Sequence, residues 1–242
     1  MEAKRIPWAR ITAEFVAILC GVTLALLADD WREYRNDRQF ERAALVEILR
    51  DLEADSAALA AQRRRMRLQN DAALWAQGHF GMEVPGDSAL NTVRSLWYFT
   101  RYQAVRSGYV GLRDSGQMSL IVDLALRQGV VHYYEVNQPY MLQFSDYYWQ
   151  LRDRFTESLF EDVLLVGDTA AEEIFPSGFD LELRRPWREF SDEIEFKNRL
   201  MAFGGFASNW GVRIEEVQEA NRTLRALIQA QLEGHGRNSA AR

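Results

Sequence analysis

The sequence predicts an all-α protein: one N-terminal transmembrane helix continuing into a long-helix antiparallel bundle. Three observations predict it. Phe15 to Ala28 carries no charge. Two later stretches repeat apolar residues three and four apart over more than three heptads, the seam of a long packed helix. Five prolines and scarce Val-Ile-Thr runs argue against an all-β fold.

Residues 1–10 read as a short tail and residues 11–28, ITAEFVAILCGVTLALLA, as the anchor. A spanning helix needs about 20 mostly apolar residues to cross a hydrocarbon core about 30 Å thick. Trp8 and Trp31 flank the run, and Trp prefers the two membrane interfaces. Their spacing is roughly 34 Å along a helix at about 1.5 Å per residue. Pro7 suits a first helical turn, where its missing N–H costs nothing, and Asp29-Asp30 marks the polar exit. A cleaved signal peptide is the rival reading, with Lys4, Arg5 and Arg10 before the apolar core. Leu26-Leu27-Ala28 lacks the small residue three before a cut, and Glu14 would fall inside the apolar region. A buried core helix is a third reading.

Ala13, Ala17, Gly21 and Ala25 recur every fourth residue, a small-residue stripe that lets membrane helices approach closely. At about 100° per residue, Glu14 falls on the same side as Gly21 and Ala25. A carboxylate at the centre of a bilayer costs about 2.5–3.5 kcal/mol on insertion scales. Either Glu14 is relieved by protonation, a partner or a water path, or it lies close enough to the interface to stay wet.

Net charge is −6, which disfavours a general nucleic-acid role. Lys4 and Lys197 stand against 27 arginines, a bias of base composition rather than function. The single Cys20 excludes disulfides within the chain and lies inside the anchor.

Residues 29–232 read as the helical bundle domain. From Asp29 to Gln77 there is no Pro or Gly, and Leu45, Ile48, Leu52, Asp55, Leu59, Gln62, Met66, Gln69 and Ala73 form a partly polar heptad seam. This helix is expected to continue the anchor outwards by roughly 70 Å. Beside the seam, Arg63-Arg64-Arg65 and Arg67 read as a solvated face, with an anionic-lipid or phosphate patch as the alternative. Gly78 to Asp87 is a turn. Asp87 or Ser88 caps a helix expected to run to about Arg106, where Ser107-Gly108 ends it, and Asp114 or Ser115 starts the next. Pro139 kinks or restarts the following helix, whose stripe Met141, Phe144, Tyr148, Leu151, Phe155 and Leu159 continues to about Leu165. Tyr133, Tyr140 and Tyr147 recur every seven residues on another side, as packing or as a ligand-stacking wall. Val166 to Pro186 reads as loop. The last helix starts near Ser191 or Asp192, and Leu200, Phe203, Ala207, Trp210, Ile214, Val217, Asn221, Leu224 and Ile228 form its seam, with a bend expected at Gly204-Gly205. Residues 233–242 read as a disordered tail.

Three groups of these residues carry a resemblance. They are Glu14, Gly21, Ala25-Leu26 and Asp30-Trp31-Arg32-Glu33; then Ser107, Gly108, Val110, Leu112, Asp114 and Tyr133-Tyr134; then Glu195-Phe196-Lys197-Asn198 within Ser191–Leu232. The chain thereby resembles an uncharacterised family of bacterial single-pass inner-membrane proteins, a domain of unknown function, with Ala13 in place of that family's usual Gly. The resemblance implies an anchor retained after insertion and implies no activity.

No catalytic motif is present: no Gly-x-Ser-x-Gly elbow, phosphate-binding loop or dinucleotide fingerprint. His79, His132 and His235 are dispersed, and His132 with Glu135 makes half a metal site at best. Acidic clusters such as Glu157/Glu161/Asp162 read as solvated surface. No cofactor and no enzyme activity are expected. The expected partners are the lipid bilayer and a second copy or another membrane protein. The function expected is an oligomeric scaffold or interaction module of the bacterial envelope. The alternatives are an accessory subunit of a proton- or ion-coupled complex using Glu14, or a ligand sensor signalling through a partner. Basic residues flank the anchor almost evenly; the expected orientation is a cytoplasmic N-terminus and a periplasmic domain.

Overall fold

A computed structural model describes the backbone of residues 8–167 and 179–240, and the side chains of that range except residues 8–14, 17, 167, 179–180 and 235–240. The chain is predominantly helical. Helix α1 (Trp8–Gly78) is one uninterrupted helix of 71 residues, about 106 Å long at about 1.5 Å per residue. The expected continuation of the N-terminal run into the first seam is therefore a single rod. Every described side chain from Phe15 to Ala28 is exposed. Among the described residues no helix is long and apolar enough to cross a membrane.

All nine seam positions of α1, from Leu45 to Ala73, are buried. Helix α7 (Ile194–Ala240) buries all nine of its own, from Leu200 to Ile228. The two lie side by side in opposite directions. Gly204 sits against Ala73, Arg63 pairs with Glu215, and Asn221 reaches the Leu52 carbonyl. The helix runs unbroken through Gly204-Gly205, the pair where the sequence predicts a bend. A Cβ at Gly204 would come 2.9 Å from the Ala73 Cβ, so this glycine serves close approach of the two helices. The tail expected to be disordered from Glu233 is instead helical to Ala240. It holds no proline, and its glycines each cost a helix only about 1 kcal/mol.

The middle of the chain departs most from the sequence reading. Helix α2 (Gly86–Trp97) stops nine residues before Arg106, and residues 98–106 form a connection without regular secondary structure. Side chains of other elements take over the main-chain bonding there. Gln69 Nε2 donates to the Tyr98 carbonyl, Ser145 Oγ accepts from Tyr102 N, and Gln138 Nε2 donates to the Val105 carbonyl. Helix α3 (Ser107–Asp114) begins where a helix was expected to end. The Asp51 carboxyl group of α1 caps it from outside, accepting from Ser107 Oγ at 2.9 Å and Gly108 N at 2.6 Å. Gly116, at φ +71°, and a 3₁₀ turn (Gln117–Leu120) lead to α4 (Leu124–His132). Its cap is Asp123, whose side chain accepts from Leu126 N at 2.9 Å, rather than Asp114 or Ser115.

A π turn (Tyr133–Asn137) joins α4 to α5 (Gln138–Glu157), and Pro139 lies in the first turn of α5, the restart the sequence predicts. The stretch expected to be helix end and loop holds an antiparallel pair, β1 (Val163–Gly167) and β2 (Phe179–Leu183), in register Val163↔Leu183 to Gly167↔Phe179. Val163-Leu-Leu-Val favours a strand once a partner strand is available. The short α6 (Trp187–Phe190) follows Pro186.

The Gly204–Ala73 approach sets a measurable contrast. Gly204→Ala forces the helices apart and is expected to cost about 1–3 kcal/mol, the usual price of overpacking. Gly205→Ala, with nothing within 4 Å of the added carbon, is expected to gain about 0.5–1 kcal/mol. Urea unfolding of the two variants reads the difference; equal shifts would remove the close-packing role.

Candidate functional site

Two polar members of the seams, Asp55 and Asn221, meet in one buried cluster. Asp55 on α1 is fully buried. Its carboxyl group accepts from Tyr102 Oη at 2.6 Å, from Tyr133 Oη, and at the limit of reach from Val105 N at 3.5 Å. Asn221 on α7 donates to Tyr133 Oη at 2.9 Å and to the Leu52 carbonyl at 3.0 Å. One carboxyl group thus ties α1 to the irregular connection and the π turn, and Asn221 joins α7 to the same tyrosine. Four turns further along α1, Gln69 repeats the device by accepting from Tyr148 Oη of α5 at 2.8 Å. Towards the other end, buried Glu41 accepts from Val122 N at 3.2 Å and from Arg38 at 2.5 Å. Tyr134 stacks on Tyr109, with ring centroids 4.5 Å apart.

Burial, then the nearby Asp55 charge, pushes the Tyr102 and Tyr133 hydroxyls well above their ordinary pKa. Burial, then Asp51 and Asp55, does the same to Tyr134, and burial to Tyr148. Tyr109 is pushed up to about 12 by burial and its hydrogen bond to Glu135. These groups are held neutral, and Tyr102, Tyr133 and Tyr148 point their hydroxyls at protein acceptors. The arrangement clamps helices; with Asp55 fully buried, no reacting group meets solvent there.

The sequence-predicted residues fall elsewhere. The side chains of Trp8, Ala13, Glu14 and Ala17 lie outside the described residues. Gly21 and Ala25 are exposed, with nothing within 4 Å of a Cβ at Gly21. Trp31 is exposed, and the Arg35 guanidinium lies 4.9 Å from its ring centroid. Cys20 is exposed and free. His132 has no metal set: Glu135 is taken by Arg106 and Arg113, and no group of three potential ligands exists among the described residues. His79 stacks on Trp75, and the His235 side chain is outside the described residues.

The tyrosine row is not one surface. Tyr133 is buried in the polar cluster, whereas Tyr140 and Tyr147 are partly exposed and pack on Phe144 and Phe206. The π turn inserts an extra residue between them and breaks the seven-residue register. Glu157 and Glu161 are exposed as expected, but Asp162 is buried against Arg185 at 2.7 Å. Burial raises its pKa and Arg185 opposes the rise. Sequence reasoning missed Tyr102 and Asp51. Their only signal was indirect: unusual polar residues at or beside seam positions, each of which needs a partner.

No family model, curated protein or solved structure matches the chain.

Asp55→Leu leaves the Tyr102 and Tyr133 hydroxyls buried without an acceptor and is expected to cost about 3 kcal/mol or more, at about 1–3 kcal/mol for each unpaired group. Urea unfolding checks it; a near-neutral effect would show that the cluster contributes no net stability. Alkaline pH supplies a second test. The unfolded tyrosines lose protons near pH 10 while the buried ones keep theirs, so the unfolded state binds fewer protons and stability falls as pH rises above about 10. Tyr133→Phe removes one such group, and the loss between pH 9 and pH 11 is expected to shrink by about 1.4 kcal/mol in total. Unfolding curves from pH 9 to 11 measure it.

Proposed function

We propose that this chain is a single-pass, membrane-anchored helical scaffold of the bacterial inner membrane, whose α1 is both the span and the first helix of an antiparallel bundle. One observation carries the reading. Within one uninterrupted helix, the uncharged run from Phe15 to Ala28 presents all its described side chains outwards, while the seam from Leu45 onwards is buried. Exposed apolar surface of that extent calls for lipid or another helix. Thr23 donates its hydroxyl to the Leu19 carbonyl at 2.8 Å, which satisfies it inside the helix as hydrocarbon requires. Ile11–Ala28 measures about 27 Å along the helix, close to the thickness of a hydrocarbon core. The resemblance to single-pass membrane proteins of unknown function points the same way.

From Asp29 to Asn36 every side chain of α1 is exposed, a free length of about 12 Å. This stalk lifts the bundle off the bilayer. Gly21 and Ala25, small and unpartnered within the chain, offer the face for a second copy or another membrane helix. A cytoplasmic N-terminus and a periplasmic bundle complete the proposal.

Two measurements test it. The full chain is expected to stay with membranes in alkaline carbonate, and residues 29–242 alone to be released. Extraction of the full chain would overturn the anchor. Gly21→Leu is expected to lower cross-linked oligomer in membranes about tenfold while leaving the urea midpoint of the bundle unchanged. Equal cross-linking would remove the small-residue face.

A further inference from the structure

Many arginines of the folded region sit against a carboxylate from another part of the chain or a turn away. Arg63 pairs with Glu215, Arg106 and Arg113 with Glu135, and Arg188 with Glu83. One surface gathers arginines around aromatic rings instead. The Arg101 guanidinium carbon lies 4.4 Å from the Trp149 ring centroid and the Arg152 carbon 4.1 Å from the same centroid. The two carbons are therefore no more than about 8.5 Å apart, the sum of those distances. Phe99 packs on Trp149 at 5.5 Å, and the neighbouring Tyr98 ring carries a third guanidinium, Arg65, at 4.6 Å.

Two of these three cations have no carboxylate among the described residues. Among the described residues no carboxylate pairs with Arg65 or Arg101. Arg152 has only its chain neighbour Asp153, at 3.1 Å. The Arg152 side chain is 15% exposed, and its Nε is buried with no hydrogen-bond partner. Burial lowers the Arg152 pKa, Asp153 partly opposes this, and the Arg101 charge lowers it further.

We propose that Arg101 and Arg152, stacked on Trp149, form a binding site for a phosphate-class oxyanion, with Arg65 on the adjoining Tyr98 ring as an outer cation. Stacking occupies the flat face of a guanidinium and leaves its N–H edge free for oxyanions. Two guanidiniums that grip one phosphate through hydrogen bonds of about 2.9 Å hold their carbons roughly 7–8 Å apart, within the bound set by Trp149. An anion held between the two arginines adds negative charge where the chain itself supplies only Asp153, on the Arg152 side. The net charge of −6 gives no general attraction for anions, so the site acts through local geometry. Arg65 lies 36 residues beyond Asp29 on α1, about 54 Å along the helix. If the proposed anchor holds, the headgroups of that membrane are out of reach and the ligand is a soluble phosphate or diphosphate. The oxyanion site itself does not depend on the anchor.

The test is calorimetric titration of the full chain, in a neutral maltoside detergent at low ionic strength, with inorganic phosphate and pyrophosphate. Wild type is expected to bind pyrophosphate saturably, and Arg101→Gln, at an exposed position, to bind at least tenfold more weakly. Arg152→Lys is expected to fall between them. Arg222→Gln, from the exposed pair with Glu219, is expected to match wild type. Absence of saturable binding by wild type, or equal binding by Arg101→Gln, overturns the site. A second arm places the chain in phosphatidylcholine vesicles and adds phosphatidylglycerol vesicles. Arg101-dependent bridging of the two populations would assign the oxyanion to a lipid headgroup and overturn the soluble ligand. Because the titration is made in detergent, its failure is distinct from failure of the anchor.

Discussion

The structure depends on the hydrogen bonds between Asp55, Tyr133 and Asn221. They sit where α1 and α7 run antiparallel, and they turn a generic apolar seam into one with a single register. Leucine and alanine knobs tolerate a slip of one heptad, since another apolar residue takes each place. Asn221 does not, because a slip removes both the Leu52 carbonyl and Tyr133 Oη from its reach. A buried amide and a buried carboxyl group without those partners would each cost more than a few apolar contacts supply. Gly204 against Ala73 adds a steric version of the same constraint, about five turns of seam further on.

With that register set, α1 acts as a rail for the middle of the chain. Three of its carboxyl groups accept main-chain N–H groups from residues 105–122: Glu41 from Val122, Asp51 from Gly108 and Tyr109, and Asp55 from Val105. A connection that lacks regular structure must still satisfy its backbone, and here the long helix supplies the acceptors. This explains why α2 ends early and α3 begins at Ser107. Intrinsic preference between Tyr98 and Arg106 is weak, and the side chains of Asp51, Gln69, Gln138 and Ser145 decide the outcome.

What was legible in the sequence followed periodicity. Eighteen seam positions on α1 and α7 were read from spacing and all are buried, because a helix that packs over many turns must repeat its apolar face. Even the polar members, Asp55, Gln62, Gln69 and Asn221, were placed correctly, although their partners were not. The tyrosine row failed for a definable reason: one π turn, set by tertiary contacts, adds a residue and rotates Tyr133 away from Tyr140 and Tyr147. The β1–β2 pair was invisible because a strand of five residues exists only through its partner. The Trp149 surface was hidden as well, since Arg101 and Arg152 are 51 residues apart and meet only through the fold.

By itself the sequence determined the helical class, the single continuous rod from the N-terminal apolar run to Gly78, and the faces that two long helices bury. These follow from local rules: no helix breaker from Asp29 to Gln77, and apolar side chains recurring every three or four residues. The tertiary structure alone decided where the short helices begin and end, which tyrosines meet Asp55, and which arginines remain without a carboxylate. Those outcomes rest on partners far apart in the chain, and hydrogen bonds and charge pairs depend on distances that no local pattern encodes.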